Sequence, residues 1–168
     1  MPPVRHASLA PHVHPDTRVL ILGSLPGAQS LAEQRYYAHP TNQFWRLVGE
    51  VIGRPLADMS YDARLTALRD ARVGLWDVIR TAERRSSSDS EIRRVEAQDL
   101  AALVAELPDL RMIAFNGGKA GVIGRRQLLG KKAHSLVDLP SSSAANTTSY
   151  REKLTVWLGL RNFLQVTD

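Results

Sequence analysis

Four short apolar runs punctuate the chain: RVLILG at 18–23, VGLWDV at 73–78, LRMIAFN at 110–116 and KAHSLVDL at 132–139. The first three are almost unbroken in apolar residues, the pattern of strands covered on both faces. Between the runs the spacing becomes helical. Phe44, Leu47, Val48, Val51 and Ile52 mark one face. Leu65 and Leu68 lie in a second stretch, 61–71, and residues 95–107 place Leu100, Leu103, Val104 and Leu107 on one side. A last helix starts near Ser149, which stands at capping-box distance from Glu152, with Leu154, Trp157 and Leu158 as its apolar face. Strands alternating with helices predict an α/β fold, a three-layer α/β/α sandwich around a central four-stranded parallel sheet. Residues 1–168 read as one domain, with 1–17 as an extended leader. The polar stretch ERRSSSDSEIRR, 83–94, is expected to be an exposed loop before the third helix.

Composition narrows the chemistry. The 168 residues include no cysteine, which removes disulfides, thiolate nucleophiles, Cys-ligated zinc and iron–sulfur clusters. Five scattered His residues supply no His-Glu-x-x-His pattern, so no metal and no cofactor are expected. No run reaches membrane-spanning length, which predicts a cytoplasmic protein without a membrane partner. The net charge of +5 suits a polyanionic partner, although charge alone does not establish one.

The polar residues gather where the strands end. In open parallel sheets, ligands bind outside the carboxyl ends of the strands. Here the four exits read GSLPG (23–27), Trp76–Asp77, Asn116–Gly117–Gly118 and LPSSSAAN (139–146). The connection after the first strand contains YYAHPTNQFW (36–45), with four of the chain's ten Phe, Trp and Tyr rings. Phe44 opens the helical stripe and reads as core, whereas Tyr36 and Tyr37 lie outside it and suit a surface that stacks on a flat ring. GSLPG lacks the spacing of a dinucleotide fingerprint and is not followed by Gly-Lys-Ser/Thr, so a tight strand-to-helix turn explains it equally well. Asn42 is either an N-cap or a pocket amide, and Asn116 is either a turn residue or a fixed donor–acceptor plane.

GSLPG, YYAHPTNQFW, AFNGGKA (114–120) and LPSSSAAN, in that order, resemble the uracil-DNA glycosylase superfamily, and the first two together are most similar to its hypoxanthine-DNA glycosylase branch. The resemblance runs from about residue 18 to about residue 165. It implies a monofunctional, cofactor-free enzyme, a monomer, that flips a deaminated base out of double-stranded DNA and hydrolyses its bond to deoxyribose. Carried over by position, Gly23, Ser24, Tyr37 and Asn116 would bind the base, Tyr37 by stacking and Asn116 at the base edge. Asn42 and Asn116 would be catalytic. Ser141, Ser142, Ser143 and Asn146, with Lys119, would contact DNA. Two positions depart from the superfamily pattern: Leu25 stands where many members carry an acid or amide, and Leu139 where many carry His or Asn. These departures favour hypoxanthine over uracil. A mismatch-specific uracil/thymine glycosylase, a binding module and a hydrolase of free nucleosides are the alternatives. Lys119 is not expected to form a Schiff base. The pairs Arg84/Arg85, Arg125/Arg126 and Lys131/Lys132 read either as phosphate grips or as solvated surface.

Overall fold

The computed structural model describes residues 4–84, 89–128 and 134–164. In chain order the elements are β1 (Val4–Ala7), β2 (Val19–Gly23), α1 (Ala28–Glu33), α2 (Phe44–Ile52), α3 (Tyr61–Asp70), β3 (Val73–Asp77), β4 (Ile79–Arg84), β5 (Arg93–Ala97), α4 (Leu100–Ala105), β6 (Met112–Asn116), α5 (Gly118–Leu128), β7 (Ser135–Leu139), α6 (Tyr150–Trp157) and α7 (Arg161–Leu164). Strands β3, β2, β6 and β7 form, in that order, the four-stranded parallel sheet that the sequence predicts.

The unbroken apolar runs are explained by burial on both faces. Val19 and Ile21 of β2, with Met112 and Ala114 of β6, join one core with Phe44, Leu47, Val48, Leu68 and Trp157. Their neighbours Leu20, Leu22, Ile113 and Phe115 join the other, with Leu100, Leu103, Leu107 and Ala120. Successive strand residues point to opposite faces, so every position must be apolar when both faces are covered. Helix α2 presents its expected stripe to the first core and ends at Gly53 in the left-handed conformation. Ser149 caps α6, its Oγ accepting the Glu152 N–H at 3.2 Å.

Three features differ from the sequence expectation. A second, antiparallel sheet, in the order β1–β4–β5, joins part of the supposed leader to the stretch expected to be loop. Strand β5 occupies Arg93–Ala97, so the third helix begins at Leu100, five residues later than its apolar spacing suggests. The burial of β5 explains the miss: Arg93, Arg94, Val95 and Glu96 are all exposed, and a strand with no buried face carries no alternation to read. Helix α5 is the third. It crosses from β6 to β7, fully buries only Ala120, Gly121 and Gly124, and sets Ile123 and Leu128 partly buried against the second core, so its apolar stripe is thin. A side chain at 124 would place its Cβ 2.4 Å from Phe115 Cε1.

That close approach yields a test. Gly124→Ala should destabilise the fold by about 1–3 kcal/mol through overpacking, despite the better helix propensity of Ala. Gly118→Ala, whose Cβ meets nothing within 4 Å, should be neutral or stabilise by up to about 1 kcal/mol. Urea unfolding of the two variants beside the parent checks both signs.

Candidate active site

The parallel strands β3, β2 and β6 end side by side at Asp77, Gly23 and Asn116, and a cavity of about 590 Å³ opens there. Its size is that of a small-molecule pocket. Gly23, Ser24, Tyr36, Asp77, Asn116 and Ser142 are among the buried residues of its wall, with Leu25, Pro26 and Ser30. Gln29, His39, Thr41, Ala144 and Ala145 are exposed and form the rim. The strand exits and YYAHPTNQFW therefore face one hollow, as the topology predicts.

Asn116 is the organising side chain. Its Nδ2 donates to Tyr37 Oη at 3.2 Å and to Ser142 Oγ at 2.9 Å, while its Oδ1 accepts the Ser142 N–H at 2.9 Å. Both amide hydrogens and one carbonyl lone pair are thus engaged within the protein. Ser142 in turn accepts the Gln43 N–H on its carbonyl at 2.9 Å. The end of β6, the segment before α2 and the loop after β7 are locked together by these bonds.

The rings are arranged unequally. Tyr36 is buried, and its hydroxyl donates to the Ala10 carbonyl at 2.5 Å. Burial first, and then the nearby Asp77 carboxylate, push its pKa up, so it stays protonated. Tyr37 is half-buried and stacks on Phe44 with centroids 3.8 Å and planes 12° apart. Its backbone sits at φ 53°, in the left-handed region that a bulky residue rarely occupies. Trp45 Nε1 donates to its carbonyl at 3.2 Å, which helps hold that turn. Phe44 itself is core, as its place in the helical stripe implies.

Asn42 lines the cavity and also serves the helix. Its Oδ1 accepts the Phe44 N–H at 2.9 Å, which satisfies one orphan donor at the start of α2. The loop after β7 is held by short side-chain bonds to its own backbone. Ser141 Oγ accepts the Ser143 N–H at 3.2 Å, Ser143 Oγ accepts the Ala145 N–H at 3.2 Å, and Asn146 Oδ1 accepts the Thr148 N–H at 2.9 Å. Beneath it lies Lys153, 1% exposed, whose Nζ donates to Gln43 Oε1 at 2.9 Å and to the carbonyls of Ser143 and Asn146 at 3.1 and 3.3 Å. Desolvation lowers the pKa of this lysine. Lys119 stands on the first turn of α5, half-buried and outside the cavity lining.

Three side chains have roles that the sequence did not disclose. Leu25, in place of the acidic or amide residue, is buried in the second core while also touching the cavity. Arg84 is not a phosphate grip. It is 2% exposed, and its guanidinium donates to the carbonyls of Leu25 and Pro26, bracing the GSLPG turn from behind. Asp77 is 4% exposed and lines the cavity. Its place at the end of an apolar run was the available signal. Of the other basic pairs, Arg125 is paired with Asp138 at 2.9 Å and lies over the Phe115 ring, and Arg126 is exposed. Arg85, Lys131 and Lys132 lie outside the described residues. Among the described residues, no three His, Asp or Glu side chains gather as a metal-ligand group.

Comparison with known proteins agrees with this geometry. A family model for the uracil DNA glycosylase superfamily matches residues 10–161. A hypoxanthine DNA glycosylase from Methanosarcina acetivorans is 44% identical over 142 residues, covering 84% of this chain and 89% of that protein. One from Methanosarcina barkeri is 37% identical over 147 residues, covering 88% and 92%. A solution NMR structure from Methanosarcina acetivorans, described as that of a candidate uracil DNA glycosylase, superposes with a TM-score of 0.84 at 38% identity, covering 96% of this chain and 99% of that one. With the strand-end cavity and the matched motifs both in place, the chain belongs to the uracil DNA glycosylase superfamily.

Proposed function

We propose that the protein is a DNA glycosylase that extrudes hypoxanthine from duplex DNA and hydrolyses its N-glycosidic bond, leaving an abasic site. The observation that carries this reading is the meeting of Tyr37 and Asn116 at the cavity on the carboxyl edge of the sheet. The high identity to two proteins named hypoxanthine DNA glycosylase supports the choice of base.

The chemistry asks little of the protein beyond positioning. When the C1′–N9 bond breaks, its electron pair leaves with the base and positive charge develops on the sugar. Water then adds to C1′ and loses a proton. Donors aimed at the departing base stabilise its charge, each by about 3 kcal/mol. Hypoxanthine carries a carbonyl where adenine carries an amine, so an amide N–H suits the former. We assign this donor to Asn116, which exchanges its bond to the rotatable Ser142 hydroxyl for the base carbonyl. The face of Tyr37 not covered by Phe44 receives the base ring. Gly23 and Ser24 form the wall against its edge. Asn42, whose amide nitrogen is not used in capping α2, holds the attacking water.

The loop 139–146, braced by Lys153, is assigned to the DNA backbone and to the gap left by the base. Ser141, Ser142, Ser143 and Asn146 supply its polar surface, and Lys119 adds a phosphate contact from the same edge. No helix among the described residues is long and apolar enough to cross a membrane. The protein is proposed to act in the cytoplasm, as a monomer and without a metal or cofactor.

A duplex panel carrying hypoxanthine, uracil or a G·T mismatch tests the reading. Excess protein should generate abasic sites at hypoxanthine, and less product at uracil, given Leu25. No product at hypoxanthine would overturn the assignment, and a gel shift without product would favour a binding module. Asn116→Ala should lower single-turnover excision by about 10²–10³-fold. Tyr37→Ala should weaken affinity for duplex containing an uncleavable inosine analogue by about 5- to 100-fold. Normal affinity there would leave Tyr37 only its packing on Phe44.

A further inference from the structure

We propose that Arg46, stacked on Tyr150, grips a phosphate of the DNA strand beside the cavity. The inference rests on the glycosylase reading above and names a cation that holds the backbone at that site.

Where a guanidinium spends its N–H groups decides whether it can hold a phosphate. Arg84 is turned inward, and Arg125 is paired with Asp138. Arg64 donates to the carbonyls of Leu56 and Ala57, and Arg161 to those of Glu50 and Val51. Arg46 does none of this. Among the described residues, no carboxylate or carbonyl takes its N–H groups. Its Cζ lies instead 4.1 Å from the centroid of the Tyr150 ring, the closest of the four such stacks among the described residues. Stacking engages the flat face of the guanidinium and leaves its edge, with five N–H groups, open to an anion. The ring also steadies a long side chain, so less rotamer freedom is lost when the anion arrives. Tyr150 suits this task because it is itself packed, partly buried, against the first core.

The stacked pair sits at the seam of two segments that flank the cavity. Arg46 comes four residues after Asn42, and Tyr150 comes four after Asn146, and both asparagines line the hollow. The Gln43 N–H donates to the Ser142 carbonyl at 2.9 Å. Lys153 Nζ ties Gln43 Oε1 to the carbonyls of Ser143 and Asn146. The start of α2, the serine loop and the first turn of α6 are therefore one joint. Between Phe44 and Gly49, Arg46 is the one exposed residue of α2. Its neighbours pack inward, and this position alone turns a permanent charge outward. A phosphate is a bidentate partner for such a planar group, and a contact of this kind fixes register without reading sequence.

The test measures the affinity of Arg46→Gln and Tyr150→Leu over a salt series, on an undamaged duplex and on one carrying an uncleavable 2′-fluoroarabino inosine. Arg46→Gln should bind both duplexes about 5- to 20-fold more weakly, with the slope of log K against log salt concentration shallower by about 1. Tyr150→Leu keeps the charge and removes its platform. It should weaken both by about 2- to 5-fold at unchanged slope, and add no further loss to Arg46→Gln. Parental affinity and slope in Arg46→Gln would overturn the inference, and a lowered urea midpoint alone would leave the stack as packing between α2 and α6. Loss confined to the inosine duplex would also overturn it, by putting Arg46 at the base. If Arg46→Gln does not fold, Arg46→Lys replaces it: affinity should fall at the parental slope, and parental affinity would sink the stacked, bidentate grip. These arms read binding alone, so failure of the parent to cut cleavable inosine is a separate result that refutes the glycosylase reading.

Discussion

The site depends on the reciprocal hydrogen bonds between Asn116 and Ser142. One residue ends a central strand and the other lies in the loop after the edge strand, 26 residues away. Both side chains are buried, so each polar atom left without a partner would cost about 1–3 kcal/mol. That penalty makes the pairing close to obligatory once the sheet has formed. The third bond of Asn116, to Tyr37, extends the lock to the aromatic segment, and the Ser142 carbonyl extends it to the start of α2. A cavity wall assembled in this way ties three separate chain segments together. Lys153 adds a second tie from below, its buried Nζ donating to three neutral oxygens of the same region.

The superfamily's usual polar group on the first motif is absent here, and the structure shows where the polar character has moved. Leu25 belongs to the apolar core, and the turn that carries it is shaped by Arg84 through backbone carbonyls. The flanking strands each bring a buried polar side chain to the wall, Asp77 on one side of β2 and Asn116 on the other, beside Ser24 of the first motif. Adjacent strand ends lie only about 5 Å apart, so side chains from neighbouring strands meet at one hollow.

How much of this was legible in the sequence follows from what each residue's neighbours demand. Strands β2, β3 and β6 were readable because both faces are covered, and α2 because one face is. Helix α5 was not, since it packs largely through Gly121 and Gly124, which carry no apolar side chain to mark the buried face. Strand β5 was not, since it is exposed on the side of every one of its first four residues. At the site, the strand ends announced a shared edge, so Tyr37, Asn42, Asn116 and the serine loop could be placed together. The partners of each side chain could not be read. That Arg84 turns inward and that Asn116 spends both hydrogens on the protein depend on atoms 59 and 79 residues distant.

The tie between Asp77 and Ser8 links the cavity to the segment after β1, whose next residue, Leu9, joins the first core. Ser8 follows directly on β1, whose pairing with β4 draws the start of the chain across the molecule. The small antiparallel sheet is thereby a tensioner: it keeps a distant stretch of backbone at the rear of the cavity and sets the tilt of one carboxylate. Trimming the chain ahead of Ser8 would remove the β1–β4 pairing and, with it, the support behind the Ser8–Asp77 bond.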